Sequence, residues 1–444
     1  MGIFNSRGVS PSHRKHTENQ KPIRLQNVES VTIPMKQHIG APCEPTVKVG
    51  DSVKVGQVIG DTGAFMSAPI HASISGTVAK VSDVRLASGE SVKAVTIKSD
   101  GLMELYEGIT KPQYDNVEQF LACVRASGLV GLGGAGFPAH VKLKVPQGKV
   151  DVLVINAAEC EPYITTDNRE CIDNTADVID GIELVCKVLD IKTAVIGIEN
   201  NKPEAIRILR EEVAKRNSSI EVKALKSKYP QGAEKVLIHS ATGRVVPMGG
   251  LPMDAGCIVM NVASIAFLAR YMRTGKPLVT RTVTVDGSAI SNPCNLRVPI
   301  GVSAQDVVNA AGGFGKEAKK IILGGPMMGN SVSSLDYYMT KTNNALLAFD
   351  EKDARSKKES ACIRCGRCVG VCPMKLMPAS LEKYQRCGDA EGLENGAVLN
   401  CIECGCCSFT CPAGRQLVQS IRLGKSIVRT AQAERKKKEA EKNG

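Results

Sequence analysis

The sequence predicts a multidomain protein of α/β and all-β units that ends in a domain holding two iron–sulfur clusters. Three observations carry this. At 444 residues the chain exceeds what one core organises, so three or four domains are expected. The hydrophobic pattern changes along the chain from short strand-like runs to longer alternations of strand and helix. Ten of the 17 cysteines fall between Cys362 and Cys411, a density that points to metal and not to disulfides.

Residues 1–28 are polar and basic without an apolar period and read as a tail carrying no chemistry. Gly2 and Ser6 match a myristoylation pattern. No apolar secretory core follows, and the most apolar stretch, Ala255 to Met272, is interrupted by Asn261, Ser264 and Arg270. No membrane-spanning helix is therefore expected, and a cytoplasmic chain is. Hydrophobic residues at 43% and charged residues at 23% exclude disordered and fibrous classes. The net charge of +12 is concentrated late: from Glu351 onward there are 18 Lys plus Arg against 11 Asp plus Glu. That excess offsets anionic clusters and suits an acidic redox partner or anionic lipid. Nucleic acid is not expected, because the basic residues are not interleaved with stacking aromatics.

Residues 29–105 read as short strands between Gly and Asp turns, as in TVKVGDSVKVGQVIG and SISGTVAKV. This pair resembles the lipoyl and biotinyl barrel-sandwich hybrid, whose carrier forms expose a lysine between the two halves. No lysine lies between Lys54 and Lys80, so a structural or docking module is expected. Residues 115–275 read as an α/β domain, with the buried strand VDVLVIN, the strand TAVIGIEN and the helix PEAIRILREEVAKR. Residues 276–345 read as a small mixed sheet with one helix, of β-grasp (SLBB-like) type. A polar linker, DEKDARSKKES, leads to the cysteine region at 355–425, and 426–444 is a basic tail.

The runs Cys362-x2-Cys365-x2-Cys368-x3-Cys372-Pro373 and Cys401-x2-Cys404-x2-Cys407-x3-Cys411-Pro412 have identical spacing. Three thiolates at this spacing wrap a tight loop around one cubane, and in paired runs the fourth ligand comes from the other run. The expected sets are Cys362, Cys365, Cys368 and Cys411 for one [4Fe-4S] cluster and Cys372, Cys401, Cys404 and Cys407 for the second. Structural zinc requires no such duplicated x2-x2-x3-Pro order. Cys387 and Cys406 fall outside the spacing and are expected to be bystanders. The seven scattered cysteines (Cys43, Cys123, Cys160, Cys171, Cys186, Cys257, Cys294) read as small buried hydrophobes.

Gly131-Leu132-Gly133-Gly134-Ala135-Gly136-Phe137-Pro138 satisfies G-x-G-x-x-G, but a helical segment and not a strand precedes it, so a dinucleotide fingerprint of Rossmann type is not supported. Five glycines from Gly128 to Gly136 offer backbone N–H groups to a phosphate or flat ring; a tight packing turn is the alternative. The strand VDVLVIN ends in Asn156-Ala157-Ala158-Glu159-Cys160-Glu161-Pro162, at the strand end where α/β ligands bind. Its carboxylates suit ribose hydroxyls or amides, and solvated loop acids are the alternative.

These two segments together resemble the flavoprotein subunit of respiratory complex I, with its G-x-G-G-A-G-F-P loop, a following lysine and N-A-D-E-x-E-P. The resemblance implies that Gly131, Gly133, Gly134 and Lys142 cradle FMN, that Asn156 and Glu159 hold the flavin, and that Phe137 and Glu161 face the nicotinamide nucleotide. The family run Y-x-x-G-E-E is similar to Tyr229, Gly232, Ala233 and Glu234, and N-N-V-E-T to Met260-Asn261-Val262-Ala263-Ser264. The chain departs from the pattern at Leu132, Ala158 and Ala233.

The whole order, with VKVGDSVKVGQVIG, GGAGFP, INAAECEPYITTD, YPQGAEK, LGGPMMG and the cysteine pair, resembles the RnfC family of the Rnf complex, the ion-translocating ferredoxin:NAD oxidoreductase. That implies an enzyme subunit exchanging electrons between NAD(H), FMN and two [4Fe-4S] clusters. It implies a peripheral position on the cytoplasmic face of the membrane, against membrane-embedded and ferredoxin-like Rnf subunits, with ferredoxin served indirectly. Two rivals stand beside it: a soluble flavin and iron–sulfur reductase similar to cobalamin reductase, and a non-enzymatic cluster wire or docking subunit.

Overall fold

The structure, a computed structural model, describes residues 7–443; Gly2 and Ser6 of the myristoylation pattern lie outside the described residues. Strands Ser30–Pro34, Ser91–Ser99, Gly76–Arg85 and Ser52–Val53 form one antiparallel sheet in that order. A small sheet of Glu44–Pro45, Val58–Asp61 and Ile70–His71 closes over it. Val31, Ile33, Val78, Val95 and Ile97 point inward and are buried, the alternation that a half-buried sheet requires.

The VDVLVIN run becomes Val152–Ala157, an inner strand of a parallel sheet ordered Glu221–Leu225, Thr193–Glu199, Val152–Ala157, Cys257–Asn261. Its continuous apolar text fits a strand covered on both faces. Helices Thr175–Leu189 and Val262–Thr274 pack closely: a Cβ added at Gly181 would lie 2.2 Å from the carbonyl oxygen of Ile265. The sandwich and this domain share a continuous core, from Ile33 and Ile70 to Phe120, Val124 and Ile265.

A six-stranded mixed sheet follows, built around Thr280–Asp286, Cys294–Pro299 and Ala345–Phe349 with the helix Ala304–Ala310. Its edge strand comes from the N-terminus: Ile23–Arg24 pairs in parallel with Leu296–Arg297. The described part of the segment read as a polar tail, residues 7–28, is therefore packed structure. Val9 exchanges two backbone hydrogen bonds with Tyr229, and Thr17 is fully buried with its hydroxyl 2.6 Å from that of Thr165. Polar side chains that find buried partners do not need an apolar period to order a segment.

Lys341 ties three units together. It is fully buried, and its Nζ donates to the carbonyl oxygens of Pro69 in the sandwich and Gly128 at the start of the glycine loop, both at 2.7 Å. Burial pushes its pKa down from 10.5 to about 7. The unfolded chain holds that proton to a higher pH than the folded chain, so this group's contribution to stability rises as pH climbs from 7 to 10.5. Lys341→Met orphans two carbonyls at a cost of about 2–4 kcal/mol, a drop of several degrees in melting midpoint. The variant should also lose the part of the wild type's stabilisation between neutral and alkaline pH that this lysine supplies. Thermal melts of both proteins across that range check both effects.

The duplicated cysteine runs fold as duplicates. Arg364 and Glu403, each just before the second cysteine of its run, both adopt left-handed φ (55° and 57°), as do Gly366 and Gly405 (72° and 76°). Short helices Arg367–Val371 and Cys406–Thr410 follow at matching places. The helix Leu417–Asn443 runs through the segment read as a basic tail and is pinned near its middle, where Arg435 pairs with Glu394 at 2.6 Å.

Candidate functional site

The site is built at the C-terminal ends of the inner strands. The strand Cys257–Asn261 ends at Asn261, which caps the helix Val262–Thr274 by accepting from the N–H groups of Ala263 (3.0 Å) and Ser264 (3.4 Å). The glycine loop docks on this helix start: Leu132 N–H donates to Ser264 Oγ at 3.0 Å, and a Cβ on Gly133 would lie 3.3 Å from the Asn261 side chain. A loop that follows a helix thus reaches a helix N-terminus belonging to another segment, where backbone N–H groups and the dipole favour an anion. Gly133, Gly134 and Ala135 are exposed, and Gly134, at φ 133°, faces open space. Phe137 is half-buried and its carbonyl oxygen accepts from Gly131 N–H at 2.8 Å.

The loop carries Leu132 where the resembled pattern has arginine, and a cation arrives from elsewhere. Buried Arg281, from the first strand after the α/β domain, donates to the carbonyl oxygen of Leu132 at 3.1 Å. Burial lowers its pKa to about 10, opposed by the charges of Asp167 and Glu170.

The acidic loop lies alongside. Asn156 Nδ2 donates to the carbonyl oxygen of Gly232 (2.8 Å), and its Oδ1 accepts from Ala158 N–H (3.2 Å). Glu159 accepts from the N–H groups of Asp167 (2.6 Å) and Asn168 (3.4 Å) at the start of the helix Thr166–Asp173. Burial raises its pKa against these donors and the charges of Lys15 and Lys202. Asp167 Oδ2 accepts from Asn261 Nδ2 at 2.7 Å, which ties the acidic loop to the glycine loop. Burial and then the charge of Glu159 push the Asp167 carboxyl up to about 7.

Three of the expected residues also make contacts within the protein. Glu161 accepts from the N–H groups of Met327 (3.0 Å) and Met328 (2.9 Å), so it clamps the LGGPMMG turn of the third domain; burial raises its carboxyl to about 7. Tyr229 is buried and its hydroxyl donates to the carbonyl oxygen of Cys404 at 2.7 Å, toward the cysteine domain. Lys142 pairs with Glu234 at 2.7 Å and donates to the carbonyl oxygen of Val259.

In the cysteine domain, Cys372, Cys401, Cys404, Cys406 and Cys407 line one apolar cavity with Leu376 and Ile421. Burial, and then the charges of Cys401, Cys404 and Cys372, push the Cys407 thiol up to about 12. Cys362 and Cys365 of the other set are exposed, and Cys368 and Cys411 are half-buried. Cys406, expected to be a bystander, is fully buried against Val9, Tyr229 and Cys404 at the domain junction.

The residues present fit the groups these sites suggest. A Cβ at Gly133 would press the Asn261 side chain at 3.3 Å, and one at Gly232 would touch Cys160 Sγ in ordinary contact at 3.4 Å. Two buried polar atoms beside it, Gln231 Nε2 and Thr166 Oγ1, have no partner, and a ring carrying carbonyls and amides suits them. Of the five cysteines around the cavity, Cys372, Cys401, Cys404 and Cys407 have the motif spacing, and four thiols suit a cubane.

Four family models match in order. The RnfC barrel sandwich hybrid domain covers residues 4–102, the Nuo51 FMN-binding domain 124–270, the SLBB domain 282–331 and the 4Fe-4S dicluster domain 355–412. An FMN-binding domain joined to a dicluster domain defines the class: flavin and iron–sulfur electron-transfer proteins. Similar proteins include the C component of the proton-translocating ferredoxin:NAD(+) oxidoreductase complex of Clostridium ljungdahlii, 44% identical over 96% of this chain and 94% of that protein. The counterpart from the Na(+)-translocating complex of Acetobacterium woodii is 44% identical over 94% and 95%. That of the ion-translocating oxidoreductase complex of Rhodobacter capsulatus is 37% identical over 94% and 82%. The chain belongs to the RnfC family of ion-translocating ferredoxin:NAD oxidoreductase complexes. A crystal structure of an NAD+-reducing [NiFe]-hydrogenase shares the fold over 69% of this chain and 63% of that one, at a TM-score of 0.50 and 18% identity.

Residues missed in the sequence reading include Lys15, Asp167, Lys202, Gln231 and Arg281. Cys160, read as a bland hydrophobe, accepts from Gly232 N–H at 3.3 Å. Asp167, next to the acidic loop in YITTD, and Gln231, inside YPQGAEK, carried a signal in their positions.

Proposed function

We propose that this chain is the NADH-side electron-transfer subunit of a membrane-bound, ion-translocating ferredoxin:NAD oxidoreductase complex, on the cytoplasmic face of the membrane. Among the described residues no helix is long and apolar enough to cross a membrane, and a peripheral position held by partner subunits accords with that. The observation that carries the reading is the segment Tyr229 to Gly232. Its Gly232 end is bonded to Asn156 and Cys160 of the flavin-type site, and its Tyr229 end to the Cys404 loop. One short segment thus links the two proposed cofactor sites.

In this reading Gly131, Gly133, Gly134 and Lys142 cradle the phosphate and ring of FMN, with Asn156, Glu159 and Asn261 fixing it. Phe137 borders the nucleotide, and Glu161, Tyr229, Gly232 and Glu234 shape the walls. When bound, FMN takes the two electrons of a hydride from NADH and gives them up singly. Cys372, Cys401, Cys404 and Cys407 hold the nearer cluster; Cys362, Cys365, Cys368 and Cys411 hold the outer one, whose exposed thiols suit exchange with ferredoxin-linked partner subunits. Anaerobic titration of the whole complex with NADH tests this. Bleaching of a flavin band together with cluster reduction is expected; no flavin and no response would leave a cluster wire.

A further inference from the structure

We propose that Lys15 is a positioning residue for the flavin and nucleotide site. The inference rests on the function proposed above and assigns a role to the N-terminal segment within it. The Lys15 side chain is 9% exposed. Its Nζ donates to the carbonyl oxygens of Glu159 (3.0 Å), Glu161 (2.8 Å) and Ile164, and stands 3.9 Å from the Glu159 carboxylate.

Three carbonyl oxygens of one loop turned to a common point repel one another unless a cation occupies it. The loop that turns them inward is conformationally costly. Glu159 (φ 48°) and Tyr163 (φ 70°) both sit in the left-handed region without being glycine, and such residues persist only where their surroundings hold them. Lys202 supplies a second cation to the same loop, donating to the carbonyl oxygen of Ala158 at 2.8 Å. Ala158 stands where the resembled pattern has an acid.

The segment bearing Lys15 is anchored on both sides. Upstream, Val9 and Tyr229 exchange backbone hydrogen bonds of 2.8 and 2.9 Å. Downstream, the Thr17 and Thr165 hydroxyls meet, and Asn295 Nδ2 donates to the Thr17 carbonyl oxygen at 3.1 Å. Lys15 therefore reaches the loop from a fixed base. From the loop a chain of contacts leads to the cradle: Glu159 accepts from Asp167 N–H, Asp167 accepts from Asn261, and Asn261 packs on Gly133. Removing the ammonium frees the carbonyls and leaves Glu159 without the cation 3.9 Å from its carboxylate, so the acidic loop relaxes and the FMN site loosens.

The test uses the full chain loaded with clusters and FMN, comparing wild type with Lys15→Met, Lys15→Gln and Lys21→Met. Lys15→Gln keeps a donor if Lys15→Met folds poorly, and Lys21→Met removes an exposed cation from the same segment. A weakening of FMN binding of about 10-fold or more is expected for both Lys15 variants, the scale of lost hydrogen bonds to a charged group. Lys21→Met should bind FMN as wild type does, and cluster signals should be equal in all four proteins. FMN binding unchanged in the Lys15 variants, or weakened equally in Lys21→Met, overturns the proposal. A wild type that binds no FMN overturns the flavin reading first, and this inference with it.

Discussion

Replacing Cys404 by serine should stop electron transfer from NADH to the partner subunits, down to the level of a cluster-free chain, while flavin content and flavin bleaching by NADH survive. Cys404 lines the buried thiol cavity with Cys372, Cys401 and Cys407. Its carbonyl oxygen accepts the Tyr229 hydroxyl from the flavin-type domain. In the proposed order the cluster there receives electrons from the flavin and passes them to the cluster at the exposed thiols of Cys362 and Cys365. Loss of the inner cluster breaks that relay. Cys365→Ser should behave differently: the inner cluster stays reducible by NADH, and only delivery to partners fails. EPR of the two NADH-reduced variants separates the cases. Identical behaviour of the variants contradicts the proposed order.

Gly133→Val should cost FMN affinity and leave the clusters intact. A Cβ at this position already approaches the Asn261 side chain at 3.3 Å, and valine adds two methyl groups beyond it. Asn261 must give way to the valine, and a displacement that costs the bound flavin about 1 kcal/mol weakens binding roughly 5-fold. Because Gly133 is exposed and no backbone bond of its own is at stake, the fold should hold. The readout is FMN bound per chain at limiting flavin, against unchanged iron content.

The parts of this architecture that could be read in advance are those written locally. Cysteine spacing announced the duplication, and the structure repeats it down to left-handed residues at Arg364 and Glu403. The alternation of VKVGDSVKVGQVIG and the continuous apolar run VDVLVIN announced their sheets. The parts that could not be read are polar residues acting over long sequence distances. Lys15 meets Glu159, Arg281 meets Leu132 and Lys341 meets Gly128; none of these belongs to a periodic pattern, and each matters because burial removes competing water. The N-terminal segment looked like a solvated tail for the same reason. Glu161 and Tyr229 illustrate a different limit. Their motifs were legible, yet the Glu161 carboxylate meets the third domain and the Tyr229 hydroxyl the fourth, and no local text announces such docking.

In the proposed function electrons pass between NAD(H) and the clusters by way of a flavin held between the Gly131 loop and the Asn156 to Glu161 loop. A direct test removes FMN from the whole complex under anaerobic conditions, adds NADH, records the cluster EPR signals, and repeats the addition after FMN is restored. Oxidised, silent clusters are expected without FMN and reduced clusters with it. Clusters reduced by NADH equally well in both states would contradict the proposed function.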